Sequence, residues 1–117
     1  MLPHVSEARV DPKKVEQYLL SETHPVGRMK AAFFRSLGFR ASEPEAFIAK
    51  LKELASTGQV VDQQQSKFGT KWVVDGILDG ERKAALVRTI WLTSPLDRAP
   101  RLITAYPAPI KDEKNDR

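Results

Sequence analysis

The first half of the chain repeats its apolar residues at helical spacing. Asp11-Pro12 predicts a helix start, because Asp accepts a cap hydrogen bond and Pro suits the first helical position. Val15, Tyr18 and Leu19 then recur every three or four residues, and Glu22-Thr23-His24-Pro25 interrupts the pattern. A second helix is expected from about Val26 to Leu37, with Val26, Met29, Phe33 and Leu37 on one stripe and Gly38 as its C-cap. Ser42-Glu43-Pro44-Glu45 has the form of a capping box. Phe47, Ile48, Leu51 and Leu54 make the stripe of a third helix, which ends near Thr57-Gly58.

Beyond Gly58 the period shortens. VVDQQQSKFG is polar and Gln-rich and reads as a connection, with room for a short strand at Gln59 to Asp62. The stretch from Gly69 to Pro107 is rich in β-branched and aromatic residues. It predicts a strand at Thr70 to Leu78, a turn at Asp79-Gly80, a long strand at Lys83 to Thr93, a loop SPLDRAP and a last strand at Arg101 to Tyr106. The fold class is therefore α+β: about three N-terminal helices on one face of an antiparallel meander of three or four strands, the other face open to water or ligand. Residues 1–108 are expected to form one domain, and the charged 109–117 a disordered tail. There is no internal repeat.

Alternation in the last strand puts Ile103 and Ala105 on the core face and Thr104 and Tyr106 on the other. Arg88 lies mid-strand between Val87 and Thr89, where an arginine needs a partner or an open face. It shares a face with Leu86, Ile90 and Leu92 unless a bulge intervenes.

Composition narrows the chemistry. The chain has 117 residues, 41% apolar and 29% charged, with no cysteine. That excludes a disulfide framework and a thiolate metal site, and it suits a cytoplasmic location. No apolar run is long enough for a membrane span, and the first ten residues lack the pattern of a secretion signal. The net charge of +4 permits a phosphate-bearing partner without demanding one. Phosphate loops, HExxH and serine elbows are missing, so neither a metal nor a cofactor is expected.

What remains is THPVGRMK. His24 precedes a helix start, Arg28 lies one turn on, and Lys30 can join them only through its reach. A helix N-terminus with two cations suits a phosphate, and a histidine exchanges protons near neutral pH. A turn histidine and the wet face of an amphipathic helix explain the same residues equally simply. Likewise, Thr104 and Tyr106 also serve as ordinary strand formers.

HPVGRMKAAFFRSLGF and VRTIWLTSPLDRAPRLITAYP resemble an uncharacterised bacterial domain family with the patterns HPxGxxKAxxFxxLGF and PRLxTAYP. Its layout is similar to that of small metal-independent RNases of bacterial toxin systems: RelE-like toxins, colicin-type tRNases and RNase A-like contact-dependent inhibition toxins. The second helical histidine of some of those toxins is missing. The resemblance implies attack of a ribose 2′-OH on the adjacent phosphorus. His24, Lys30, Thr104 and Tyr106 would be the catalytic residues, and Arg28, Arg88 and Arg101 would bind substrate. It further implies RNA as substrate, such as tRNA or ribosome-associated mRNA, and a cognate antitoxin as partner, with no membrane and no small-molecule cofactor. The alternative is a non-catalytic module that binds RNA or protein on the same fold, as one component of a toxin–antitoxin pair. A third reading, an antitoxin or immunity partner, would predict an acidic surface, which the net charge of +4 does not favour.

Overall fold

The computed structural model describes residues 2–15, 19 and 28–109, with 28–30 placed as backbone. A 3-10 turn at Val5–Glu7 leads into three helices: α1 (Pro12–Lys14), α2 (Arg28–Ser36) and α3 (Pro44–Thr57). Four strands follow: β1 (Gln59–Ser66), β2 (Gly69–Asp79), β3 (Ala84–Ser94) and β4 (Asp97–Pro107). They pair antiparallel in sequence order, and the helices cover one face, an α+β fold as expected.

Local chemistry accounts for the helix ends. The Asp11 carboxylate accepts the Lys13 N–H at 3.0 Å and starts α1 with Pro12 in its first turn. Gly38 closes α2 at φ 112°, a left-handed conformation that a β-carbon disfavours. The capping box ahead of α3 does not form. The cap position falls on Glu43 with no side-chain hydrogen bond, and Pro44 opens the helix.

The core is one cluster between helices and sheet. Phe34 of α2 stacks on Phe47 of α3 at a centroid separation of 5.0 Å, and Phe39 on Phe47 at 4.8 Å. Leu51 and Leu54 continue the α3 stripe onto Val74, Leu78, Val87 and Trp91. Trp91 is the largest fully buried side chain. Its indole N–H donates to Thr89 Oγ1 at 2.7 Å, and that hydroxyl donates to the Val74 carbonyl at 2.9 Å. Every polar atom introduced with the tryptophan is thereby satisfied.

Three further sequence expectations change. The Gln-rich segment is a full strand along Gln59–Ser66, since pairing with β2 overrides its weak propensity. The loop SPLDRAP shrinks to a Pro95-Leu96 turn, and β4 starts at Asp97. Pro100 fits there because a second chain segment uses its carbonyl instead. Arg9 N–H donates to Pro100 O at 2.8 Å, and Leu102 N–H donates to Arg9 O at 3.0 Å, a short parallel bridge on the outer edge of β4. Finally, Ile103 does not share the core face with Ala105. Ile90 pairs with Thr104 and Trp91 with Leu102, so Ile103 is an extra, bulged residue, 38% exposed. Leu102 and Ala105 point inward in its place.

The β2–β3 connection is clipped to α2. Leu37 O accepts from Arg82 N–H at 2.8 Å, and a β-carbon on Gly80 would collide with that carbonyl. Gly80→Ala should therefore lower stability by about 1–3 kcal/mol, beyond the small gain from a stiffer unfolded chain. Urea unfolding checks this; an unchanged or higher midpoint would show that the clip is absent.

Candidate functional site

Antiparallel pairing aligns side chains into rows across a sheet face. On the face away from the helices, one row runs Gln59, Asp75, Arg88, Tyr106. The next runs Asp62, Val73, Ile90, Thr104, and a third runs Gln64, Lys71, Leu92, Arg101, with Arg9 bridged beside Arg101. Arg88 therefore sits on the face of Leu86, Ile90 and Leu92. The β4 bulge precedes Thr104, so Thr104 and Tyr106 still share one side. Asp62, Gln64, Lys71, Arg88 and Tyr106 border a concave groove of ≈ 440 Å³ floored by Val73 and Ile90.

The centre of the face is a charge pair. Arg88 Nε and Nη2 donate to the two Asp75 oxygens at 2.8 and 2.9 Å, a bidentate fork across β3 and β2. The two side chains are 24% and 16% exposed. Asp75, and to a lesser degree Tyr106, hold the Arg88 guanidinium above its ordinary pKa, so it is charged at all accessible pH. Asp75 takes two of its donors and Tyr106 hydrogen-bonds the guanidinium as well, so the carboxylate, the guanidinium and the phenol form one connected unit. Thr104 Oγ1 is buried with no hydrogen-bond partner, a hydroxyl whose full desolvation is uncompensated.

Lys71 and Arg101 have no ion-pair partner among the described residues, whereas Arg9 pairs with Asp97 at 3.0 Å. Asp62 is committed locally: it accepts from Gln63 N–H at 2.8 Å and Gln64 Nε2 at 3.0 Å. The described residues contain no cluster of three or more His, Cys, Asp or Glu able to hold a metal ion. They also contain no helix long and apolar enough to cross a membrane. The arrangement suits an anion with a planar group: cations around an apolar floor, with a phenol at one wall.

The structure thus brings Arg88, Arg101, Thr104 and Tyr106 onto one face. Arg28 and Lys30 occupy the first turn of α2, which lies on the covered face, where its Phe34 and the following Leu37 pack in the core with Leu102 and Ala105. His24 lies outside the described residues. Sequence reasoning overlooked Asp75, Lys71, Asp62 and Gln64. Asp75 had a readable signal, since a carboxylate within WVVDGIL is as anomalous as the arginine within LVRTIWL, and opposite charges in facing strands pair. The other three sit among polar neighbours where nothing distinguishes them.

Helices on one side and a grooved, cation-bearing sheet face on the other define an α+β domain with a single open sheet surface. The chain belongs to DUF6883, a domain family of unknown function whose profile matches residues 1–109. No curated protein matches the sequence. A chain of a solved contact-dependent growth inhibition toxin–immunity protein complex from Klebsiella pneumoniae 342 has a similar fold, with a TM-score of 0.68. The likeness covers 92% of this chain and 98% of that chain at 16% identity, and at that identity it is a likeness of fold alone.

The Arg88–Asp75 fork should be worth a measurable amount. Arg88→Ala strands a largely buried carboxylate and should cost about 1–3 kcal/mol, less than a fully buried pair because water reaches both groups. A double-mutant cycle with Asp75→Ala should return a coupling of about 1 kcal/mol or more. Additivity in that cycle would mean that the fork does not anchor the face.

Proposed function

We propose that this protein is a metal-independent endoribonuclease of the bacterial toxin type, acting at the open sheet face. The observation that carries the reading is the alignment of Tyr106, Arg88, Thr104 and Arg101 on that face, the same residues that the PRLxTAYP motif and the long strand single out. The likeness of fold to one chain of a toxin–immunity protein complex fits a toxin-system role and does not by itself distinguish toxin from immunity protein.

The chemistry needs three things. A base removes the ribose 2′-OH proton, and the oxygen attacks the adjacent phosphorus. An acid protonates the departing 5′ oxygen. Cations stabilise the charge that builds on the non-bridging oxygens. The products are a 2′,3′-cyclic phosphate and a 5′-OH. Arg88, with Asp75 fixing its plane, serves the phosphate, and Lys71 and Arg101 hold flanking phosphates. Thr104 Oγ1 is buried and lacks a partner, and a side-chain rotation toward the open face would let it donate to a phosphate oxygen. Tyr106 donates a proton or stacks on a base. His24, outside the described residues, is assigned the remaining acid–base function; Arg28 and Lys30 begin a helix on the covered side and are given no role at the groove. An immunity-type protein partner follows from the reading, because an uninhibited nuclease damages its own cell.

A non-catalytic RNA-binding module is the second reading, favoured by one feature: the groove holds cations and an aromatic ring, which suffice to bind but not to cleave. Incubating the protein with total tRNA in EDTA separates the two. Cleavage yielding cyclic phosphate ends is expected, with rates falling about a hundredfold or more in His24→Ala and Tyr106→Phe while RNA affinity changes little. Binding without cleavage above the His24→Ala control would sink the nuclease reading and leave the module.

A further inference from the structure

Two hairpin turns meet at one end of the sheet. The β1–β2 turn carries Lys67-Phe68 and the β3–β4 turn carries Pro95-Leu96. A meander places alternate turns at the same end, and a recess of ≈ 360 Å³ lies between them, bordered by Ser66, Lys67, Ser94 and Pro95. Phe68 is 70% exposed and Leu96 is 98% exposed. Neither side chain contributes to the core, and turn positions ordinarily favour Gly, Asn or Asp. Two large apolar side chains held out together at neighbouring turn tips are therefore unexplained by folding.

Charge gathers at the same end. Lys67 and Arg98 lie in or beside the turns, and Lys71, Arg101 and the bridged Arg9 a few residues along the strands, with Arg9 and Arg98 paired to Asp97 and Glu7. Five against two leaves three positive charges in a chain whose net charge is +4. Lys67 lies with its ammonium 5.3 Å from the Phe68 ring centroid, so the cation and the apolar ring are presented as one unit. The opposite end, around Asp79, Glu81, Arg82 and Lys83, is balanced in sign.

We infer that this end of the sheet docks on an anionic lipid surface, with Phe68 and Leu96 entering the headgroup–acyl boundary and the basic residues facing the lipid phosphates. Apolar tips at a net cationic end of the sheet are the combination that interfacial binding requires, since buried apolar area and attraction to anionic lipid add. A nucleic acid would use the cations and could stack on Phe68, but a fully exposed leucine at a turn gives a base nothing to stack on. The inference shares Lys71 and Arg101 with the nuclease reading, whereas Phe68, Leu96 and Lys67 belong to the tips alone and lie outside the groove.

Co-sedimentation of the full chain with phosphatidylglycerol–phosphatidylcholine vesicles tests it, with phosphatidylcholine vesicles and a short single-stranded RNA in parallel. Binding is expected only to the anionic vesicles, falling steeply with salt. Phe68→Ser and Leu96→Ser should each weaken it about tenfold and leave RNA affinity unchanged, and Lys67→Glu should weaken it at low salt. All three residues are exposed, so circular dichroism should show native folding. No binding to anionic vesicles, or binding indifferent to the two serine variants, would overturn the inference. A loss of RNA affinity in those variants without loss of vesicle binding would assign the tips to nucleic acid instead.

Discussion

Trp91 donates to Thr89, and Thr89 donates to the Val74 carbonyl on the next strand. This buried relay ties β3 to β2 in one register. A slip by one residue would carry Trp91 to the solvent face and leave the threonine hydroxyl without a partner, so the alternative pairing is strongly penalised. The same register puts Arg88 opposite Asp75 and Ile90 opposite Val73 on the other side. The core relay and the surface fork are thus two consequences of one alignment. Whatever the open face binds depends on a tryptophan that never touches it.

The bulge at Ile103 extends that logic to β4. Without the extra residue, strict alternation from Leu102 would turn Ala105 outward and Thr104 inward. With it, Leu102 and Ala105 both reach the core while Thr104 and Tyr106 come into line with Ile90 and Arg88. Bulges commonly re-aim side chains beside functional sites. Here the bulge leaves two marks: a half-exposed isoleucine and a buried threonine hydroxyl with no partner. The bridge from Arg9 covers the outer edge of β4 nearby, which limits pairing with other chains at that edge.

Much of this was legible in the sequence, in uneven ways. The stripes of α2 and α3 announced themselves, because a helix that must bury one side repeats its apolar residues regardless of neighbours. Strands β2 and β3 were equally clear. β1 was not, since its glutamines hold a strand only because β2 offers a partner. The turn at Pro95-Leu96 was hidden by a proline that the edge of the sheet tolerates. Thr104 and Tyr106 were correctly placed together on the open face, yet Ile103 was assigned to the core, because a bulge is a property of two strands and cannot be read from one. For the site, Arg88 was visible as a charge among apolar residues, and Asp75 carried the same signal unread. Lys71 became notable only when pairing set it in a row with Arg101.

The central proposal is that the open sheet face, rather than the helical face, is the RNA-binding surface. Amide chemical-shift mapping tests it most directly, using isotope-labelled protein titrated with a short oligoribonucleotide in EDTA. The account predicts shifts concentrated on Lys71, Arg88, Ile90, Arg101, Thr104 and Tyr106. Shifts clustered on the exposed face of α3, with those six positions unmoved, would contradict it.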